Sequence, residues 1–207
     1  MPAPLRDFPL FPLGIVALPT ESVPLHIFED RYRRMIEHCL AERSEFGILW
    51  LSDEELKQTG CACEIERVLE RMDDGRMNIL ARGTRPFTLL ERQDDLPYPA
   101  GEVAFLEDRL EQPDEDAAGA ARELYAELVL AATDKQLGPE ELAELDAYRM
   151  AATVEFESDA KQELLELRSE TERLRLLGTL LGAALERLEL IERAQVRAKS
   201  NGKVRFG

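Results

Sequence analysis

Apolar positions follow two different rhythms along this chain. From Phe8 to Leu51 they come as short runs cut by prolines. The first is Phe8-Pro9-Leu10-Phe11-Pro12-Leu13, and the next is Pro24-Leu25-His26-Ile27-Phe28-Glu29, with Arg31-Tyr32 close behind. Proline fixes φ and has no amide proton, so in sheets it is confined to edges, strand starts and bulges. These runs therefore predict short buried or edge strands of a barrel-like β fold. The period then changes. Tyr32, Met35, Ile36, Cys39 and Leu40 fall at i, i+3, i+4, i+7 and i+8, predicting an amphipathic helix over Asp30–Glu42 with Asp30 as N-cap. FGILWL at Phe46–Leu51 is too short for a stable helix and reads as a buried strand.

Strict alternation follows. Cys61, Cys63 and Ile65 alternate with Ala62, Glu64 and Glu66, and Met77, Ile79 and Ala81 alternate on the return. Asp74-Gly75 between them predicts a hairpin with a type I′ turn. The phase slips between Ile65 and Val68, which predicts a bulge. Thr84–Arg92 and Glu102–Asp108 read as two further strands, joined by the turn-forming DDLPYPAG.

Near Glu111-Gln112-Pro113-Asp114 the rhythm becomes helical. Leu124, Leu128 and Ala131 mark one helix, and Gly138-Pro139 marks a break. A helix from Leu142 to about Phe156 follows, then a segment from a Ser158 cap through Leu167. In the last helix Leu174, Leu177, Leu181, Leu185 and Leu188 form a broad apolar face. The expected class is α+β. Residues 1–112 would form a β-rich pseudo-barrel with one helix, and 113–192 an α-helical bundle. Residues 193–207, with five Lys or Arg and no acid, would form a flexible basic tail.

Composition narrows the function classes. With 44% hydrophobic and 33% charged residues the chain reads as globular. A net charge of −16 argues against nucleic-acid partners and anionic membranes, because phosphate contacts need Lys and Arg. Cys39, Cys61 and Cys63 are too few for a disulfide framework. No apolar run reaches the roughly 18 residues of a membrane span. A cytoplasmic protein is expected.

The residues do not assemble a catalytic site. There is no phosphate loop, since Gly202-Lys203 lacks the preceding glycine and the following hydroxyl. There is no G-x-S-x-G elbow, and no serine sits in a strand-turn-helix context. His26, inside an apolar run, reads as a core imidazole satisfied by a backbone carbonyl, and His38 as a surface residue. A metal site from His38, Cys39, Cys61 and Cys63 does not match zinc-ligand spacing. Asp73-Asp74 and Asp114-Glu115-Asp116 read as solvated loop acids rather than a calcium loop. No catalytic residue, cofactor or metal is expected.

The ordered blocks carry a resemblance. F-P-L-F-P-L, then P-L-H-I-F-E-x-R-Y, Phe46-Gly47-Ile48, Gly60-Cys61-Ala62, Asp74-Gly75-Arg76, Gly83-x-Arg85-x-Phe87 and Pro97-Tyr98 come in the family's order. Lys161-Gln162-x-Leu164-Leu165-Glu166 and Arg173-Leu174 close it. The chain resembles the N-terminal, substrate-binding domain family of Lon protease. That resemblance implies a PUA-like β subdomain followed by a helical one. In the full-length protease this domain precedes ATPase and Ser-Lys protease modules and recognises unfolded or tagged proteins. Neither module has a counterpart in these residues, so the expectation is a stand-alone, non-catalytic protein-binding module for unfolded or apolar segments or a partner protein. The alternatives are an adaptor or scaffold for an ATP-dependent protease, a small hydrolase with an unrecognised site, and an RNA binder, which the acid excess disfavours. Phe8, Pro9, Leu10, Phe11, Pro12, Leu13, Pro24, Leu25, His26, Ile27, Phe28, Glu29, Arg31 and Tyr32 are the family-motif residues, expected to be mostly structural. The substrate surface is unassigned, and the leucine-rich last helix leaves a face for a homodimer.

Overall fold

A computed structural model of the chain describes residues 3–53 and 55–201. Strand β1 (Leu5–Leu13) changes partner midway. Phe8 and Pro9 face Gly101 and Ala100 of β6 (Ala100–Phe105), antiparallel, whereas Leu10–Leu13 run parallel to Gly47–Trp50 of β3 (Phe46–Leu51). Each proline of β1 thus lies where a single neighbour uses the ladder, which is how one strand tolerates two of them. β3 pairs with β4 (Leu56–Arg71), β4 with β5 (Met77–Gln93), and β5 with β6. That ring closes, giving the expected barrel. β2 (Ser22–Ile27) adds to the first half of β5, with Val23, Leu25 and Ile27 buried and Ser22, Pro24 and His26 exposed.

Helix α1 (Asp30–Glu42) forms where the apolar stripe predicts it and buries Tyr32, Met35, Ile36 and Cys39. Its N-cap is Glu29 rather than Asp30, and no side chain caps it. Asp30 lies in the first turn and pairs with Arg33.

The hairpin differs from expectation in its turn. The Gly75 amide donates to the Met72 carbonyl and the Met72 amide to the Arg76 carbonyl, both at 2.9 Å. Gly75 has φ 85°, and Asp74 is not among the positive-φ residues. This is a three-residue loop ending in a left-handed glycine, in place of type I′. The bulge is present, with the register shifting between Ile65 and Arg67. Thr84–Arg92 is not a separate strand but the second half of β5. The loop before β2 lies directly on Gly83: a Cβ there would sit 2.0 Å from the Leu18 carbonyl oxygen. Thr20 donates to the Gly83 carbonyl at 2.8 Å, and Gly83 to the Glu21 carbonyl at 2.9 Å. The glycine permits close approach without ending the strand.

The chain divides into two compact units. The first ends at Glu111 and resumes over Tyr148–Ser169. The second comprises Gln112–Ala147 and the chain from Glu170 on. A linear division at 112/113 therefore differs from the contacts, which return residues 148–169 to the sheet unit. The reason lies in α5 (Ser158–Glu166). There Gln162, buried, donates to the Thr59 carbonyl at 3.1 Å, and the Lys161 ammonium meets Glu21 at 2.6 Å. Glu157, not Ser158, is the N-cap of α5.

In the second unit α2 (Glu115–Thr133) packs with α6 (Glu170–Asn201). Asp114 caps α2, accepting from the Asp116 and Ala117 amides at 3.0 and 3.3 Å, so this acid is a cap rather than a solvated loop residue. The helix expected from Leu142 to Phe156 is replaced by short α3 (Pro139–Ala143) and α4 (Ala147–Ala151). Arg122 takes the carbonyls of Ala143 and Leu145 at 3.0 Å each, and the Glu170 carboxylate accepts the Ala147 amide at 2.7 Å. These side chains hold backbone groups that a continuous helix would have used. The expected tail is helical from 193 through Asn201, while 202–207 lie outside the described residues. Among the described residues no helix is long and apolar enough to cross a membrane.

Candidate functional site

A cleft of about 510 Å³ opens on the sheet unit where β1, the β2–α1 turn and the end of β3 converge. Alternation explains its floor. β2 sends Ile27 inward, and α1 places Tyr32 on its buried stripe, so both line the cleft with Phe11 of β1. The Phe11 and Tyr32 rings lie 4.2 Å apart, and Phe46 backs Phe11 at 6.4 Å. Pro12 and Leu13 extend this floor, and Leu51, Leu56, Arg92 and Pro99 complete the walls.

The rim is polar, and its Arg31 is neutralised in place. The Arg31 guanidinium pairs with Glu29 at 2.9 Å and stacks 4.5 Å above the Tyr32 ring. Burial raises the pKa of the Tyr32 hydroxyl, against a smaller opposing pull from Arg31. The phenol is neutral at physiological pH. His26 is exposed, in contrast to the core imidazole expected, because β2 alternation turns its even positions outward. Its Nδ1 lies 2.6 Å from Asn78 Oδ1, the Asn78 amide donates to Glu70 at 3.0 Å, and the ring stacks on Phe28 at 5.7 Å. Phe28 is 58% exposed and Leu51 49%. Such a site presents apolar area and flat rings, with no activated nucleophile among its walls.

The motif residues separate into buried positions, one exposed proline and cleft-lining positions. Phe8, Leu10 and Leu25 are buried, and Phe8 meets Phe87 edge-on at 5.5 Å and Phe105 at 5.7 Å. Pro9 is also buried, and Pro24 is exposed on β2. Phe11, Pro12, Leu13, His26, Ile27, Phe28, Glu29, Arg31 and Tyr32 line the cleft. Leu51, Leu56, Arg92 and Pro99 reach it only through barrel closure, and no local pattern marks them. The four His and Cys residues weighed as metal ligands are not gathered. Cys39, Cys61 and Cys63 are buried, while His38 is exposed and lies 5.8 Å from the Tyr98 ring. Burial raises the Cys39 and Cys61 thiols, Cys61 well above its usual value, which keeps both protonated. Among the described residues no group of three His, Cys, Asp or Glu side chains could hold a metal ion.

A closed barrel with one appended strand, one helix and an apolar cleft at their junction defines an α+β domain of the Lon N-terminal kind. The chain belongs to the ATP-dependent protease La (LON) substrate-binding domain family, matched over residues 7–182. It is similar to a Lon N-terminal domain protein from Xanthomonas campestris, with 26% identity and a TM-score of 0.64 over 84% of this chain and 97% of that one. The N-terminal domain of a Mycobacterium avium complex Lon protease, at 22% identity, shares the fold with a TM-score of 0.62 over 85% and 98% of the two chains. Among curated proteins, Lon protease 2 of Herpetosiphon aurantiacus is 27% identical over 89% of this chain, and Lon protease of Parabacteroides distasonis 30% identical over 48%. The matches span only 24% and 13% of those proteases.

Proposed function

We propose that this chain is a protein-binding module that holds an extended apolar stretch of unfolded polypeptide in the cleft at the β2–α1 turn. It acts by binding, without chemistry of its own. The family's substrate-binding description supports a protein partner. One observation carries the location. Phe28 and Leu51, large apolar side chains 58% and 49% exposed, stand at the mouth of a cleft whose floor is already apolar. Large exposed apolar groups beside a preformed cleft mark binding surfaces. Fully covering one such side chain is worth about 1.5–3 kcal/mol. The free edge of β2 beside the cleft offers main-chain groups to an extended segment.

The test is fluorescence anisotropy with a labelled apolar peptide. Replacing Phe28 and Leu51 together by Ala should weaken binding by about tenfold or more while leaving the unfolding midpoint in place. Leu110→Ala, at a fully exposed leucine that does not line the cleft, should leave binding unchanged. Equal affinity of the double variant and the parent would overturn the assignment. Sustained ATP-independent cleavage of casein by the purified protein would overturn the non-catalytic part.

A further inference from the structure

Resting on that reading, we infer that the cleft selects apolar segments flanked by lysine or arginine. The argument is electrostatic. Two of the cations around the cleft are neutralised by their own neighbours: Arg31 by Glu29 at 2.9 Å, and Lys57, on β4 next to the lining Leu56, by Glu55 at 2.7 Å. The turns that carry the chain away from the lining residues are acidic. Asp53 follows Leu51, and Asp94 and Asp95 follow Arg92; all three are exposed, and none has a cationic partner among the described residues. Arg92 is the cation left to oppose them. Unpaired carboxylates therefore stand two or three residues along the chain from the lining residues Leu51 and Arg92. The whole chain, at −16, favours approach of a cationic ligand and disfavours an anionic one. Cationic flanks suit this surface. An acidic flank would meet like charge on both turns.

The test uses the full chain and two labelled peptides with one apolar core, flanked at both ends by Lys in one and by Glu in the other. At about 0.05 M salt the Lys-flanked peptide should bind about tenfold tighter, and the ratio should fall below about threefold at 0.5 M salt. The exposed-turn variant D53N/D94N/D95N should reduce the low-salt ratio to about threefold or less, with an unchanged unfolding midpoint. Equal binding of the two peptides at low salt, or tighter binding of the Glu-flanked one, would overturn the inference. If both peptides still lose affinity in the Phe28/Leu51 double variant, the cleft reading survives that outcome. If neither peptide binds the parent chain, the cleft reading fails as well.

Discussion

The two units hold themselves together by different means. In the sheet unit the largest fully buried side chains are apolar: Phe46, Phe87, Leu18, Ile27, Met35, Ile36, Ile48, Leu49, Met77, Ile79 and Met150. In the helical unit Leu177 and Leu181 are as fully buried, and beside them lies a buried cation, Arg173, whose guanidinium pairs with Glu170 at 2.9 Å. Its other buried positions are alanines, leucines and one aromatic, including Ala118, Ala121, Tyr125, Leu128 and Leu174. The sheet unit is specified by volume. The helical unit adds a buried charge pair and a side-chain cap to its leucines.

The largest effect should come from removing volume. Phe87 fills the space left by Gly47 and Gly60, where a Cβ would come within 2.5 and 2.8 Å of its ring. Phe87→Ala should cost about 3–5 kcal/mol, read as a lower denaturant midpoint of the sheet unit. A smaller loss would show that the barrel collapses onto the gap. Next is Arg173. Arg173→Ala should cost about 3 kcal/mol by leaving Glu170, itself only 19% exposed, without its charge partner. Arg173→Met combined with Glu170→Gln should cost less than the sum of the two single changes, because each single change strands one charge of the pair and the double change strands none. Strict additivity would remove the pair from the account.

The smallest effect concerns the cap. The amide of Ala117, with help from Arg175, holds the Asp114 carboxyl below its usual 3.8. A depressed folded pKa contributes stability that is complete above the unfolded value and lost as pH falls through the folded one. Helix content, followed by circular dichroism, should therefore fall on acidification through the carboxylate range, and less steeply in Asp114→Asn, which caps without titrating. Identical pH curves would mean that other acids set the transition.

How far the sequence could be read follows the same division. α1 and β3 appear at the predicted bounds because each is an uninterrupted local pattern, a 3.6-residue stripe and a solid apolar run. The bulge after Ile65 was legible as a slip in alternation. The continuity of β5 through Gly83 was not, since it depends on Leu18 and Glu21 lying against that glycine from a distant loop. The break between α3 and α4 was equally hidden, because Arg122 and Glu170 come from other helices to take the backbone groups. The cleft was half visible. Its β1 and β2–α1 residues belong to the motif, but Leu51, Leu56, Arg92 and Pro99 are brought in by closure alone. His26 was misplaced because hydrophobic neighbours in sequence are not neighbours on one face of a strand.

The return of residues 148–169 to the sheet unit bears on how the chain is made. Where the unit leaves off and finishes, its ends are stitched: the Arg109 amide donates to the Arg168 carbonyl at 2.8 Å, and Ser169 bonds Glu111. A ribosome delivers Glu111 long before Ser169, and at about 5–20 residues per second the interval is several seconds. Throughout it the Thr59 carbonyl and the Glu21 carboxylate lack the Gln162 and Lys161 that later cover them. The barrel's strands are thus made first, and the sheet unit is completed only after the whole excursion through α2 and α3 has been synthesised.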